Sequence, residues 1–150
     1  EGSAEATFAT VLGGSANTAE AAHSLAAGGS SNTASGIKAT AVGGIANEAE
    51  GQSSIAVGGS ANLVHSTGAA SLGGDTNDIL GSFAVAVGGK DNETDSQYAA
   101  VFAGLNNQAS GTHGTVIAGQ SNVASGNNSL AVGGNANSAT ATDQVSVPSE

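Results

Sequence analysis

One feature constrains this chain more than any other: two residue types return at a fixed interval from end to end. Glycine stands at Gly14, Gly29, Gly44, Gly59, Gly74, Gly89, Gly104, Gly119 and Gly134. Asparagine stands at Asn17, Asn32, Asn47, Asn62, Asn77, Asn92, Asn107, Asn122 and Asn137. These are nine consecutive registers of 15 residues, without insertion or deletion. A strict period this short specifies a solenoid in which every turn is one repeat. An unbroken period and a single proline argue against disorder, and the absence of glycine at every third residue excludes collagen.

Each repeat has two apolar-patterned segments. The first is apolar throughout, as in Ile55-Ala56-Val57, Val85-Ala86-Val87 and Leu130-Ala131-Val132. The second alternates, as in Asn47-Glu48-Ala49-Glu50-Gly51 and Asn122-Val123-Ala124-Ser125-Gly126. Alternation with period two marks a strand with one wet face. Thr18, Glu20, Glu48, Glu50, Asp78, Glu93 and Asp95 fall on that wet face. Two short strands joined by two turns make a flat coil, and stacked coils make an all-β parallel β-roll with about 15 residues per coil.

The first strand is apolar on both faces, but the faces differ in size. One carries Ala39, Ala41, Ala56, Ala69, Ala84, Ala86, Ala99 and Ala131. The other carries Leu12, Leu25, Val42, Ile55, Val57, Leu72, Val85, Val87, Phe102, Ile117, Leu130 and Val132. With three Phe, one Tyr, no Trp and 24 Gly, the chain lacks the side chains for a thick core. The expectation is a thin interior of small residues, with the larger side chains pointing outward in a stripe roughly 40 Å long at the spacing of parallel strands. Soluble monomers rarely expose such a stripe, and closed cyclic association covers it. The pattern fits a trimer or a dimer.

The paired glycines follow the buried strand directly, where the chain reverses. In two coils the first of the pair is Ala103 or Ala118, while Gly104 and Gly119 stay, so the second position is the more constrained. Asparagine three residues later is placed to bond its own turn and the amide of the next coil, which predicts an inward amide ladder.

No pattern for chemistry emerges. The chain has no cysteine, so thiol nucleophiles and sulfur metal sites are absent. His23 and His113 share one slot before the buried strand, six coils apart, and His65 lies elsewhere, so they form no single metal site. Asp75, Asp78, Asp91, Glu93 and Asp95 cluster over two coils, which makes calcium the cation to consider. The calcium-roll and EF-hand patterns are both missing, and a solvated acidic surface is the reading. An ice-binding face needs a regular rank of Thr. Here Thr10, Thr40 and Thr115 share a slot interrupted by Leu25, Ile55 and Val85. A polysaccharide hydrolase needs two carboxyl groups across a cleft, and a roll without inserted loops offers none. The net charge of −10 leaves nothing to neutralise phosphates, so nucleic acid is not an expected partner. The chain is read as non-catalytic, without cofactor or metal.

The strings Ser31-Asn32-Thr33-Ala34-Ser35-Gly36, Ala41-Val42-Gly43-Gly44, Ala56-Val57-Gly58-Gly59 and Ser121-Asn122-Val123-Ala124-Ser125-Gly126 resemble the head repeats of trimeric autotransporter adhesins of Gram-negative bacteria, the YadA-like head. The resemblance covers essentially the whole chain, although each repeat is one residue longer than is usual there. It implies a homotrimer of left-handed parallel β-rolls with the twelve large side chains at the trimer interface. It also implies an extracellular position on the bacterial surface, with an outer-membrane anchor outside this segment. The implied function is adhesion or spacing, with a host extracellular-matrix protein, a host cell surface or a neighbouring adhesin as partner. A phage or viral fibre segment of the same build is the alternative, and an ice- or polysaccharide-binding solenoid a lesser one.

Residues 1–142 are read as head repeats and 143–150 as a final half-coil entering a neck or linker, on the resemblance of Asp143-Gln144-Val145-Ser146-Val147 to a neck entry. Pro148 stands where most coils have glycine and is expected to stop the ladder. At the other end Gly2, Ala4 and Ala6 enter the pattern in mid-coil, so a neighbouring segment is expected before them.

Overall fold

The computed structural model describes residues 2–148. Twenty short strands alternate along them. Two-residue strands run from Ser3–Ala4 to Ser138–Ala139, and between them come three-residue strands from Thr10–Leu12 to Leu130–Val132, followed by Val145–Ser146. Every second strand joins the same sheet, giving two ten-stranded parallel sheets. We call them the narrow sheet, of two-residue strands, and the broad sheet. Each pairing joins residues one repeat apart: Ile55 with Ala70 and Ala70 with Val85 in the broad sheet, Leu63 with Asp78 and Asp78 with Glu93 in the narrow one. The molecule is an all-parallel β-solenoid of about ten stacked coils.

A third line of pairing lies in the turn between the sheets. Single parallel bridges link Ser15, Ser30, Ile45, Ser60, Asp75, Lys90, Leu105, Gln120 and Asn135 in succession. The glycine turn is therefore not a free loop but carries its own bridge to the coils on either side. Backbone groups that would otherwise face water unpaired are used between coils, as in Asp75 N–H to Gly89 O at 2.9 Å.

The interior is thin. The middle residue of each broad-sheet strand points inward, and Ala26, Ala41, Ala56, Ala86 and Ala131 are fully buried there. Ala19, Ala34, Ala49, Ala109, Ala124 and Ala139 face them from the narrow sheet. The interior is not alanine throughout, however: Val64, Ile79, Val101 and Val116 are buried as well. The reason is compensation within a coil. Val64 shares its coil with Ala56, Ile79 with Ser71, Val101 with Ala109 and Val116 with Ala124. No coil places two large residues inside, so the two sheets keep one separation along the stack. Close packing demands this, because an added methylene in a filled interior costs about 1–3 kcal/mol.

Four residues in each complete coil have left-handed backbone, for example Ala61, Gly68, Gly73 and Gly74. These are the corners of the coil. The two glycine positions differ in what surrounds them. A Cβ on Gly58 would meet nothing within 4 Å, whereas one on Gly59 would stand 2.2 Å from the carbonyl oxygen of Gly74. Ala103 and Ala118 occupy the first position at φ 60° and 55°. The second position admits no side chain, because the next coil's backbone fills the space.

The pairing reaches Val145–Ser146, which extends the broad sheet beyond Leu130–Val132. Val147 and Pro148 follow as exposed residues, and Ser149 and Glu150 lie outside the described residues.

Candidate functional site: two outer faces and an inner amide ladder

The asparagines form a continuous ladder inside the glycine turn. Asn77 is buried, and its side-chain nitrogen donates to Asn62 Oδ1 at 3.0 Å and to Gly88 O at 3.3 Å. Its own Oδ1 accepts the Asn92 backbone N–H at 3.1 Å. The backbone link from each Asn to the preceding Oδ1 repeats from Asn32 to Asn137. Asn17 caps the same rank by donating to Gly13 O and Gly28 O. These groups are occupied with one another and have no capacity left for a ligand. The ladder holds the turns in register.

The outer face of the broad sheet carries the large apolar residues. Because its middle residues point inward, the first and third point out. Leu12 is 65% exposed, Leu72 44%, Phe102 43%, Ile55 and Ile117 41% and Val57 37%. Leu25, Val42, Val85, Val87, Leu130 and Val132 lie on the same face and are half-buried. The face is a straight ribbon of β-branched and aliphatic side chains with one pair per layer. Three of its layers set a large residue beside alanine: Leu25 is paired with Ala27, Ala70 with Leu72 and Ala100 with Phe102. Ile55 with Val57, Val85 with Val87 and Leu130 with Val132 instead put two large residues in one layer. Among the described residues nothing packs on these side chains from outside.

The outer face of the narrow sheet is acidic and polar. On it His65 Nδ1 lies 2.5 Å from Glu50 Oε2 and Nε2 lies 3.4 Å from Asp78 Oδ1, linking three successive coils. Glu48 beside it is held above the usual carboxylate range by partial burial and by the neighbouring Glu50. Glu93 is raised likewise by partial burial and by a hydrogen bond with Asp95. Gln108 answers that pair, its Nε2 donating to Asp95 at 2.8 Å and to Glu93 at 3.3 Å.

The five acidic residues grouped along the sequence divide in space. Asp78, Glu93 and Asp95 belong to this face. Asp75 lies on the bridge line, paired with Lys90 at 2.5 Å, and Asp91 is a left-handed corner. The Lys90 ammonium holds the Asp75 carboxyl below its ordinary range. Among the described residues no three His, Asp or Glu side chains are arranged to hold a metal ion.

His23 and His113 share the slot that precedes the broad sheet, and each is stacked on an aromatic ring of the preceding coil. His23 lies 5.0 Å from Phe8, and His113 lies 4.9 Å from Tyr98. Phe83 extends the second stack, 5.6 Å from Tyr98. All five have left-handed backbone. Placing the chain in rows of 15 puts these rings in one column, the signal by which the stacks are legible without coordinates. The ring faces look along the stack at one another, so the column presents edges rather than flat surfaces to solvent.

A shallow depression lined by Asn135, Ala136, Asn137, Val147 and Pro148 lies beside the last described coil. It gathers no acid–base pair. No described helix is long and apolar enough to cross a membrane. No protein-family model matches the chain, and no curated protein is similar to it.

Proposed function

We propose that the chain is a non-catalytic adhesive or spacer head module of the trimeric-autotransporter type, exposed on a bacterial surface and assembled as a homotrimer through the outer face of its broad sheet. The observation that carries the reading is the exposed apolar ribbon of that face, which sets a large residue beside alanine in three of its layers. In a cyclic assembly about an axis parallel to the stack, the first outward residue of one copy faces the third outward residue of the next copy in the same layer. Leu25 then meets Ala27, Leu72 meets Ala70 and Phe102 meets Ala100. Small opposite large fills these three layers without collision, as interior packing requires. An antiparallel pairing puts different layers opposite one another and loses the match.

The resemblance of the repeats to adhesin heads supports the three-fold form over a two-fold one with the same layer register. In that form the stacked coils give a stiff rod, the acidic narrow sheets face outward, and binding uses repeated weak contacts multiplied over three copies. The left-handed coil and the outer-membrane anchor beyond this segment belong to the same proposal.

Absolute molar mass in solution, measured by light scattering across a dilution series, tests the proposal. The expected value is three times the 14.0 kDa of the chain. A mass of one or two chains at every concentration overturns the trimer.

A further inference from the structure

The chain contains two Asn-x-Ser/Thr sequences, Asn92-Glu93-Thr94 and Asn127-Asn128-Ser129. Each has the residue pattern that N-glycosyltransferases read. The fold gives them opposite fates. Asn92 is a rung of the inner ladder and is 1% exposed, with its side-chain nitrogen donating to Asn77 Oδ1 at 3.0 Å and Gly104 O at 3.2 Å. A sugar on that nitrogen replaces one of the two N–H groups that make these bonds and needs space that the turn lacks.

Asn127 lies outside. It follows Gly126 in the corner from the narrow to the broad sheet, where Ser129 N–H closes a four-residue turn on Gly126 O at 3.2 Å. Asn128 is the left-handed third residue of that turn, at φ 55°. Asn127 is therefore its projecting second residue, and it is exposed. Its Oδ1 accepts the Thr112 N–H at 3.3 Å, and among the described residues its side-chain nitrogen has no partner. The corner belongs to neither outer face, so a group attached there leaves the apolar ribbon open.

We propose that Asn127 is the N-glycosylation site of the folded chain and that a sugar on Asn92 is incompatible with folding. The donor class is a sugar activated at its anomeric carbon as a nucleotide or polyprenyl diphosphate. The Asn127 amide nitrogen bonds to that carbon, the carbon–oxygen bond to the diphosphate breaks, the nucleoside or polyprenyl diphosphate leaves with the electron pair, and the amide proton passes to the transferase. Ser129, whose hydroxyl completes the recognition pattern, is 1% exposed in the closed coil. Transfer therefore precedes closure of that coil, on the chain as it emerges. Asn92 is open at that stage too, but a chain modified there cannot close its turn and is lost from the folded fraction. This inference goes beyond the proposed function and does not depend on the oligomeric state.

The test is coexpression of the whole chain in a bacterial host with a soluble N-glycosyltransferase that uses uridine-diphosphate glucose, followed by intact mass and peptide mapping of the folded fraction. The expected result is one hexose on the peptide carrying Asn127 and none on Asn92. Asn127→Gln abolishes the addition. Ser129→Ala abolishes it as well, with Asn127 intact and a slot that Ala39, Ala69, Ala84 and Ala99 fill in other coils. Circular dichroism of both variants is expected to match the parent, which checks that they fold. An unmodified Asn127, a hexose on Asn92 in folded protein, or full modification of Ser129→Ala overturns the proposal.

Discussion

Asn77 Oδ1 accepts two hydrogen bonds from Asn92, one from the backbone N–H at 3.1 Å and one from the side-chain nitrogen at 3.0 Å. A single oxygen thus fixes both the main chain and the side chain of the next coil. Removing it leaves a buried donor without its partner, and such a loss costs about 1–3 kcal/mol. Asn77→Ala is expected at the upper end of that range, because the donations of Asn77 to Asn62 and Gly88 are lost too. Urea unfolding followed by circular dichroism measures the change. A midpoint indistinguishable from the parent would mean that the ladder does not hold the coils in register.

The paired glycines separate backbone preference from space. Gly58→Ala places a methyl where nothing lies within 4 Å, at a position that alanine already occupies in two coils. Its cost is confined to the left-handed backbone, about 1–2 kcal/mol. Gly59→Ala drives a methyl into Gly74 O, which must shift together with the Asn62 side chain. Overpacking of this kind adds about 1–3 kcal/mol to the same backbone cost. Thermal unfolding of the two variants is expected to rank Gly59→Ala well below Gly58→Ala. Equal loss in both would remove the steric account of the second glycine.

Much of this fold is legible in the period itself. Residues that recur every 15 positions must stack, so strand direction, register and the inward asparagines follow from Gly59, Asn62 and their repeats. The division of the apolar strand into small and large faces follows from side-chain size in Ile55-Ala56-Val57. What escapes the pattern depends on pairs of residues rather than on columns. Ile79 inside the roll is intelligible only beside Ser71, since either position alone shows an ordinary substitution. The bridge line is silent because Ser60, Asp75, Lys90 and Leu105 share no side-chain property, and their bridges are made by the backbone. His65 stands one repeat after Glu50 in the same column, so rows of 15 display that contact, whereas its contact with Asp78 crosses to another column and is not displayed.

The narrow sheet carries a pH dependence whose sign is set by Glu48 and Glu93. Both carboxyl groups are raised above the ordinary value of 4.5 in the folded chain, by partial burial first and by acidic neighbours next. Above their folded pKa they are charged in both states and burden the folded one. As pH falls through the folded pKa, the folded state takes up protons before the unfolded state does, so stability rises until pH reaches about 4.5. Asp75 works in the opposite sense, since its pKa is lowered by Lys90, but it is solvent-exposed and its effect is small. Melting temperature is therefore expected to increase on mild acidification. The double variant Glu48→Gln, Glu93→Gln is expected to melt higher than the parent at neutral pH and to show a shallower dependence. A variant profile parallel to that of the parent would locate the effect elsewhere.

The proposed assembly is tested most directly at Ala100 and Phe102, the least equal pair on the apolar ribbon. Within one chain, the outward side chain of residue 100 meets no packed neighbour from outside, so Ala100→Phe is expected to leave the monomer's coils intact. Across the proposed axis it sets two aromatic rings where one now faces a methyl, and the layer opens. Ile55→Asp and Val87→Asp act by another route. Each buries a carboxylate at the axis with two symmetry copies beside it and no cation on that face, a desolvation cost of several kcal/mol per charge. The expected outcome for all three is a fall in molar mass from three chains to one, with the far-ultraviolet spectrum of the parent retained. Phe102→Ala serves as the control for size: it empties the same layer instead of overfilling it, and is expected to weaken the assembly without abolishing it. Were Ala100→Phe and the two aspartate variants to keep the parent's mass, the ribbon would not be the surface through which the copies meet.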